Sequence, residues 1–162
     1  MFFKKKVDIE DYCTSNLDAL FSPEREATYE RLREACADPA LTAADRKLYF
    51  DHVRAVVIQL LHVAIIKNSH LDISSDGHMF VMMYLGERGL SHIDTLVGTT
   101  YNRAFGGHPQ DGVTGIVEAF SRDVTDARMR PETAQRLHGE FYAILRGLFD
   151  DFKSIKLTTK RQ

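Results

Sequence analysis

The sequence predicts an all-α protein, a single compact bundle of about seven helices around a long apolar central helix at about residues 43–69. Three observations predict this. Apolar residues recur in steps of three and four, with no convincing period-two alternation. Cap residues, prolines and glycines punctuate the periodic runs where helices have to begin and end. The 162 residues, 44% hydrophobic and 27% charged, suit one globular domain spanning 1–162, with no repeat or low-complexity linker.

A first helix is expected over residues 8–20, burying Ile9, Tyr12 or Cys13, Leu17 and Leu20. Ser22 reads as the N-cap of a second over residues 23–37, with Pro23 at its first position, where a missing N–H costs nothing. Its apolar line of Ala27, Leu32 and Ala35 is thin among many charges, which places it on the surface. Thr42 and Asp45 have the spacing of a capping box for the central helix. Residues 55–66 of that helix carry no charge and are apolar nearly all round, so neighbours must enclose it.

The polar run at 69–78 interrupts the pattern, and a further helix carries the apolar residues 79–85, with Gly89 at its C′ position. Ser91 and Asp94 start a helix that ends at Gly106, and residues 106–112 read as a flexible loop. A helix over 113–127 follows. Pro131 opens the last, whose stripe runs through Leu137, Phe141, Ile144, Leu148, Phe152 and Ile155, widened by Tyr142, Leu145 and Phe149. The basic ends, 1–6 and 157–162, read as short tails that either solubilise the chain or dock on a neighbouring acidic body.

Composition narrows the function classes. Residues 1–6 and 153–162 hold seven of the 21 basic residues, while all 23 acidic residues lie between them. An acidic body lacks the basic face that nucleic-acid phosphates require. No apolar stretch reaches the roughly 20 residues of a spanning helix, so no stable membrane insertion is expected. Two cysteines, Cys13 and Cys36, outside any C-x-x-C pattern, read as free thiols of a cytoplasmic protein.

Chemistry-bearing patterns are sparse. The run from Asp72 through Ser74 to Asp76 and Gly77 copies the opening of a calcium loop, but its twelfth position is Met83 where a bidentate Glu belongs. His70, Asp72, Asp76 and His78 are ligand-type residues without a metal-site spacing, so they are weak metal candidates and no metal is expected. His62 and His92 lack the context of a haem pair, and no other cofactor motif is present; none is expected. No nucleophile elbow, phosphate-cradling loop or dinucleotide fingerprint occurs, so no catalytic residue is assigned.

Two arrangements remain. On a helical wheel Asp45, His52 and Gln59 align, with His62 one turn beyond, which suggests an internal ligand pocket beside Gln59, His62, Met82 and Tyr84. The surplus of apolar helix surface suggests instead a contact surface, with Phe141, Leu145, Leu148 and Phe152 as the candidate interface. The leading expectation is a non-enzymatic interaction or regulatory module that forms a homodimer or meets a protein partner. A small-molecule sensor is the alternative, and an enzyme without a recognisable motif the third reading.

Overall fold

The computed structural model describes residues 3–107 and 111–160. A short strand, β1 (Lys5–Asp8), leads into α1 (Ile9–Leu20), which Asp8 caps by accepting from the Glu10 N–H at 2.9 Å. Ser22 caps α2 (Pro23–Cys36) through the Arg25 N–H at 3.3 Å, with Pro23 opening the helix. A single turn, α3 (Pro39–Thr42), precedes the central helix α4 (Arg46–Asn68). Next come α5 (Leu71–Glu87) and α6 (Ser91–Leu96). A π-turn (Val97–Tyr101) then runs straight into α7 (Asn102–Gly107). The chain closes with α8 (Gly112–Val124), α9 (Pro131–Asp151) and a second strand, β2 (Ile155–Thr158).

The all-α class holds, with α4 as its axis. Packing against α1, α2, α5, α6, the π-turn, α8 and α9 buries it on nearly every side. It is long and apolar enough to cross a membrane by length and composition, and its side chains are mostly buried inside the bundle. Gly77 lets α1 and α5 approach closely: a Cβ there would lie 3.2 Å from Ile9 and 3.7 Å from the Cys13 sulfur. Gly89 takes the left-handed φ of 69° that ends α5, while the Leu90 N–H reaches back to the Leu85 carbonyl at 2.8 Å.

Several boundaries differ from expectation. The ends are not both loose tails, because β1 and β2 pair in parallel with Lys5 opposite Ile155 and Asp8 opposite Thr158. Four-residue strands are too short to display a period, but Leu157 is buried and Val7 and Ile155 pack on the core. Ile155 therefore belongs to a strand and not to the last helical stripe. Thr42 does not cap α4; it ends α3, and its hydroxyl donates to the Asp38 carbonyl at 2.7 Å. Asp45 takes the N-cap position of α4 without a side-chain bond.

The run at 69–78 is helical from Leu71, since the first turn of a helix, with its orphan N–H groups, readily takes polar residues such as Asp72. Of the loop expected at 106–112, Gly106 and Gly107 close α7 and Gly112 opens α8, and residues 108–110 lie outside the described residues. The buried side of α2 is Tyr29, Leu32 and Arg33, while Ala27 and Ala35 face solvent. Arg33 is buried because its guanidinium donates to the carbonyls of Leu41, Thr42 and Ala44 at 3.2, 2.7 and 2.8 Å. It thereby ties α2 to the α3–α4 turn.

The expected interface stripe of α9 is covered by the chain itself. Phe141, Leu148 and Phe152 are buried in the core and Leu145 is half-buried, because α9 lies along α4 with α8 and α2 beside it. Phe120 and Tyr12 supply ring contacts to Phe141 and Phe152.

One buried carboxylate joins distant parts of the chain. Asp38, 2% exposed, caps α3 through the Ala40 N–H at 3.0 Å. It also accepts from the Arg130 N–H at 2.8 Å and the Thr133 hydroxyl at 2.7 Å, at the start of α9. The Thr133 bond, then the backbone bonds, hold its pKa below the usual carboxylate range. Asp38→Ala is therefore expected to cost about 2–3 kcal/mol in chemical denaturation at pH 7, since it leaves three donors without their acceptor. Because the folded pKa is depressed, this contribution is complete above the unfolded value near 3.9 and fades as pH falls below it. An unchanged denaturation midpoint at pH 7 would contradict the assignment.

Candidate functional site

The polar residues of α4 come first, since each must find a partner inside an apolar bundle. His52 Nδ1 lies 2.7 Å from the Tyr101 hydroxyl, and the two rings meet edge to face. Gln59 Nε2 donates to Asn102 Oδ1 at 3.4 Å. Tyr101 and Asn102 are consecutive, at the end of the π-turn. A π-turn holds one extra residue, which re-aims the side chains that follow it toward α4. Burial pushes the Tyr101 hydroxyl far up and the His52 ring down in pKa, so this pair is a neutral hydrogen bond at pH 7.

His62 is different. Only 7% exposed, it packs its ring against that of His78 with centroids 4.9 Å apart, and its Nε2 has no hydrogen-bond partner. Burial first, and the neighbouring His78 second, push its pKa down to about 4.

The four expected pocket residues are thus not gathered around one cavity. Gln59 turns to α7 and His62 to α5, while Met82 is half-exposed on the outer side of α5. The Tyr84 hydroxyl donates to Asp18 at 2.7 Å on α1.

The metal candidates are likewise dispersed along a helix, where a calcium loop would have curled them around one ion. Asp76 accepts from the Thr159 hydroxyl at 3.0 Å, tying α5 to the end of β2, and His78 meets His62. Among the described residues no group of three or more His, Cys, Asp or Glu is placed to hold a metal ion. His92 bonds Asp51 at 3.0 Å, with Lys47 at 3.3 Å on the same carboxylate oxygen, so it does not face His62 across a pocket. Both cysteines are free, and burial pushes the Cys13 thiol up to about 12, which leaves it inert as a nucleophile.

Two surface features were not visible in the spacing. The first is a half-open groove of about 410 Å³ between α1 and α9, with α4 as its floor and α2 closing one end. Leu17, Leu20, Val57, Ile58, Leu61 and Leu148 give it an apolar base. Its polar groups are Asn16, Arg25, Tyr29, Glu140 and Asp151. None of the four residues expected to line a pocket reaches it.

The second is the outer face of α5 with the end of α4. There Leu71 is 80% exposed and Ile66 60%, and Met82 and Met83 are half-exposed. The small residues Ala143 and Gly147, one turn apart on α9, signal the groove in retrospect. Comparison with family models, with curated proteins and with solved structures finds no match to this chain.

His62 generates a pH prediction. Its folded pKa lies below the unfolded value near 6.5, so the unfolded chain binds the extra proton between those limits. Stability is complete above about pH 6.5 and declines as pH falls toward 4, by an amount on the order of 2–3 kcal/mol. His52 shifts in the same direction. Thermal melts of the parent and His62→Leu should diverge increasingly from pH 7 to pH 5, the variant losing less. Parallel curves would show that His62 does not titrate as buried.

Proposed function

We propose that this chain is a non-enzymatic helical interaction module that pairs with a second copy of itself through the outer face of α5. The observation that carries the reading is the set of exposed large apolar side chains spaced along this side of the bundle: Ile66 at the end of α4, Leu71 at the start of α5, and Met82 and Met83 about three turns farther along it. Methionines suit adaptable contact surfaces, and a patch of this kind is uncommon on a face meant for water.

The face is self-complementary. Leu71, Ser75, His78, Met82 and Gly86 fall within one narrow stripe of the helix, about 22 Å long. In an antiparallel pairing across a two-fold axis near His78, Leu71 of one copy lies opposite Met82 and Gly86 of the other. Gly86 leaves room for it, since a Cβ there would approach only Ser91, at 3.7 Å. The same pairing brings the Lys67 end of one copy toward the exposed Glu87 of the other. A two-fold contact repeats each of these interactions twice. Free cysteines and the buried α4 support a cytoplasmic setting.

Sedimentation equilibrium from about 1 to about 500 micromolar tests the reading. A reversible dimer is expected, with Leu71→Glu and Met82→Glu each shifting it to monomer while the melting temperature of the monomer stays near the parent. A monomeric parent throughout that range overturns the proposal. So does a dimer that both variants leave intact.

A further inference from the structure

The groove between α1 and α9 has an architecture of its own. Along α9 its lining is Glu140, Ala143, Ile144, Gly147, Leu148 and Asp151, the steps of three and four that mark one helix face. From Glu140 to Asp151 that face is about 16 Å long. Small residues leave room for the trough: Ala143 and Gly147 stand beside Ile144 and Leu148 on the α9 wall, and α1 contributes Ala19. A Cβ on Gly147 would meet nothing within 4 Å, so the space beside it is open.

The two ends differ. At one, the Tyr12 hydroxyl donates to Asp151 at 2.9 Å and Asn16 donates to the Tyr12 carbonyl, so the polar groups are already engaged. At the other, Arg25, Tyr29 and Glu140 meet. Tyr29 is buried, with its backbone carbonyl taken by the Tyr49 hydroxyl at 2.6 Å. Arg25 lies near its phenol, and Glu140 acts on the same phenol from α9. No ion pair joins Arg25 to Glu140, and both side chains are exposed at the mouth of the trough. The Arg25 guanidinium bonds the Tyr29 phenol, and its remaining N–H groups and the Glu140 carboxylate face solvent, where an occupant can reach them.

The geometry points to a binding site for a small amphiphilic zwitterion: an α-amino acid whose carboxylate pairs with Arg25 and whose ammonium pairs with Glu140, and whose unbranched apolar side chain lies along Leu20, Val57, Leu61 and Ile144. The charge pattern argues for this occupant over a simple fatty acid or amine. A carboxylate alone would bring a like charge beside Glu140, and an ammonium alone would bring one beside Arg25. Charge-assisted bonds fix the head, while the apolar trough supplies area for the tail. This inference stands apart from self-pairing through α5, since the lining of the groove includes no residue of α5.

The test is calorimetric titration of the full chain with 2-aminodecanoic acid, with decanoic acid and decylamine as single-charge controls. Saturable binding of the zwitterion is expected, at least tenfold tighter than either control. Arg25→Gln and Glu140→Gln should each weaken it about tenfold or more. Gly147→Leu fills the trough where there is open space, so it should melt at or above the parent and yet lose binding. Leu71→Glu should leave binding unchanged. The proposal is overturned if the zwitterion gives no saturable heat, if decanoic acid or decylamine binds as tightly, or if Gly147→Leu binds like the parent.

Discussion

The enclosure of α4 is the constraint on which the rest depends. A helix with apolar side chains on every side is stable in water only when neighbours cover the whole of it, and here α1, α2, α5, α6, the π-turn, α8 and α9 do so. That demand sets the bundle's cross-section. It also makes each polar residue on α4 a specification: His52 requires Tyr101, and Gln59 requires Asn102. The π-turn is best understood as a consequence, since its extra residue re-aims the Tyr101 and Asn102 side chains onto the axis. His62 alone is left with a ring neighbour and no hydrogen bond, so it titrates against the fold.

Wrapping one helix by many leaves the chain with ends to fasten. Asp38 fastens the middle, accepting from α3 and from the start of α9 across more than ninety residues of sequence. The parallel pairing of β1 with β2 fastens the two ends of the described chain, and Asp76 on α5 holds Thr159 just beyond it. Each is a polar bond formed where the apolar packing has already brought the segments together. At Asp38 burial strengthens the bonds, because little water competes and the carboxylate meets three donors.

The two surface features share an origin in what the wrapping did not cover. Between α1 and α9 the small residues Ala19, Ala143 and Gly147 leave a trough above the α4 floor. At the far end of α4, where the chain turns into α5, nothing lies over Ile66 and Leu71, and both stay in solvent. A concave trough with opposed charges at its mouth suits a small amphiphile; a convex stripe with a glycine notch suits another helix. The two proposals follow this difference in shape, one naming a small ligand and the other a second helix.

The all-α class, the caps at Ser22, Pro23 and Gly89, and the need to bury α4 were legible in residue order, because they depend on local propensity and on periodicity. The apolar stripe of α9 was legible too, but not its use: periodicity marks a greasy face without saying whether the same chain or another covers it, and here Phe141, Leu148 and Phe152 are covered from within. Short strands, the burial of Arg33 and Asp38, and the partners of Gln59 and His62 came from contacts between residues far apart in the chain. The groove belongs to the same class, since a cavity is the space several helices fail to fill and no single helix encodes it. Local sequence determined which long helices form, because periodicity and caps are local; only tertiary packing decided that the ends pair as strands, which polar groups meet and which apolar ones remain outside.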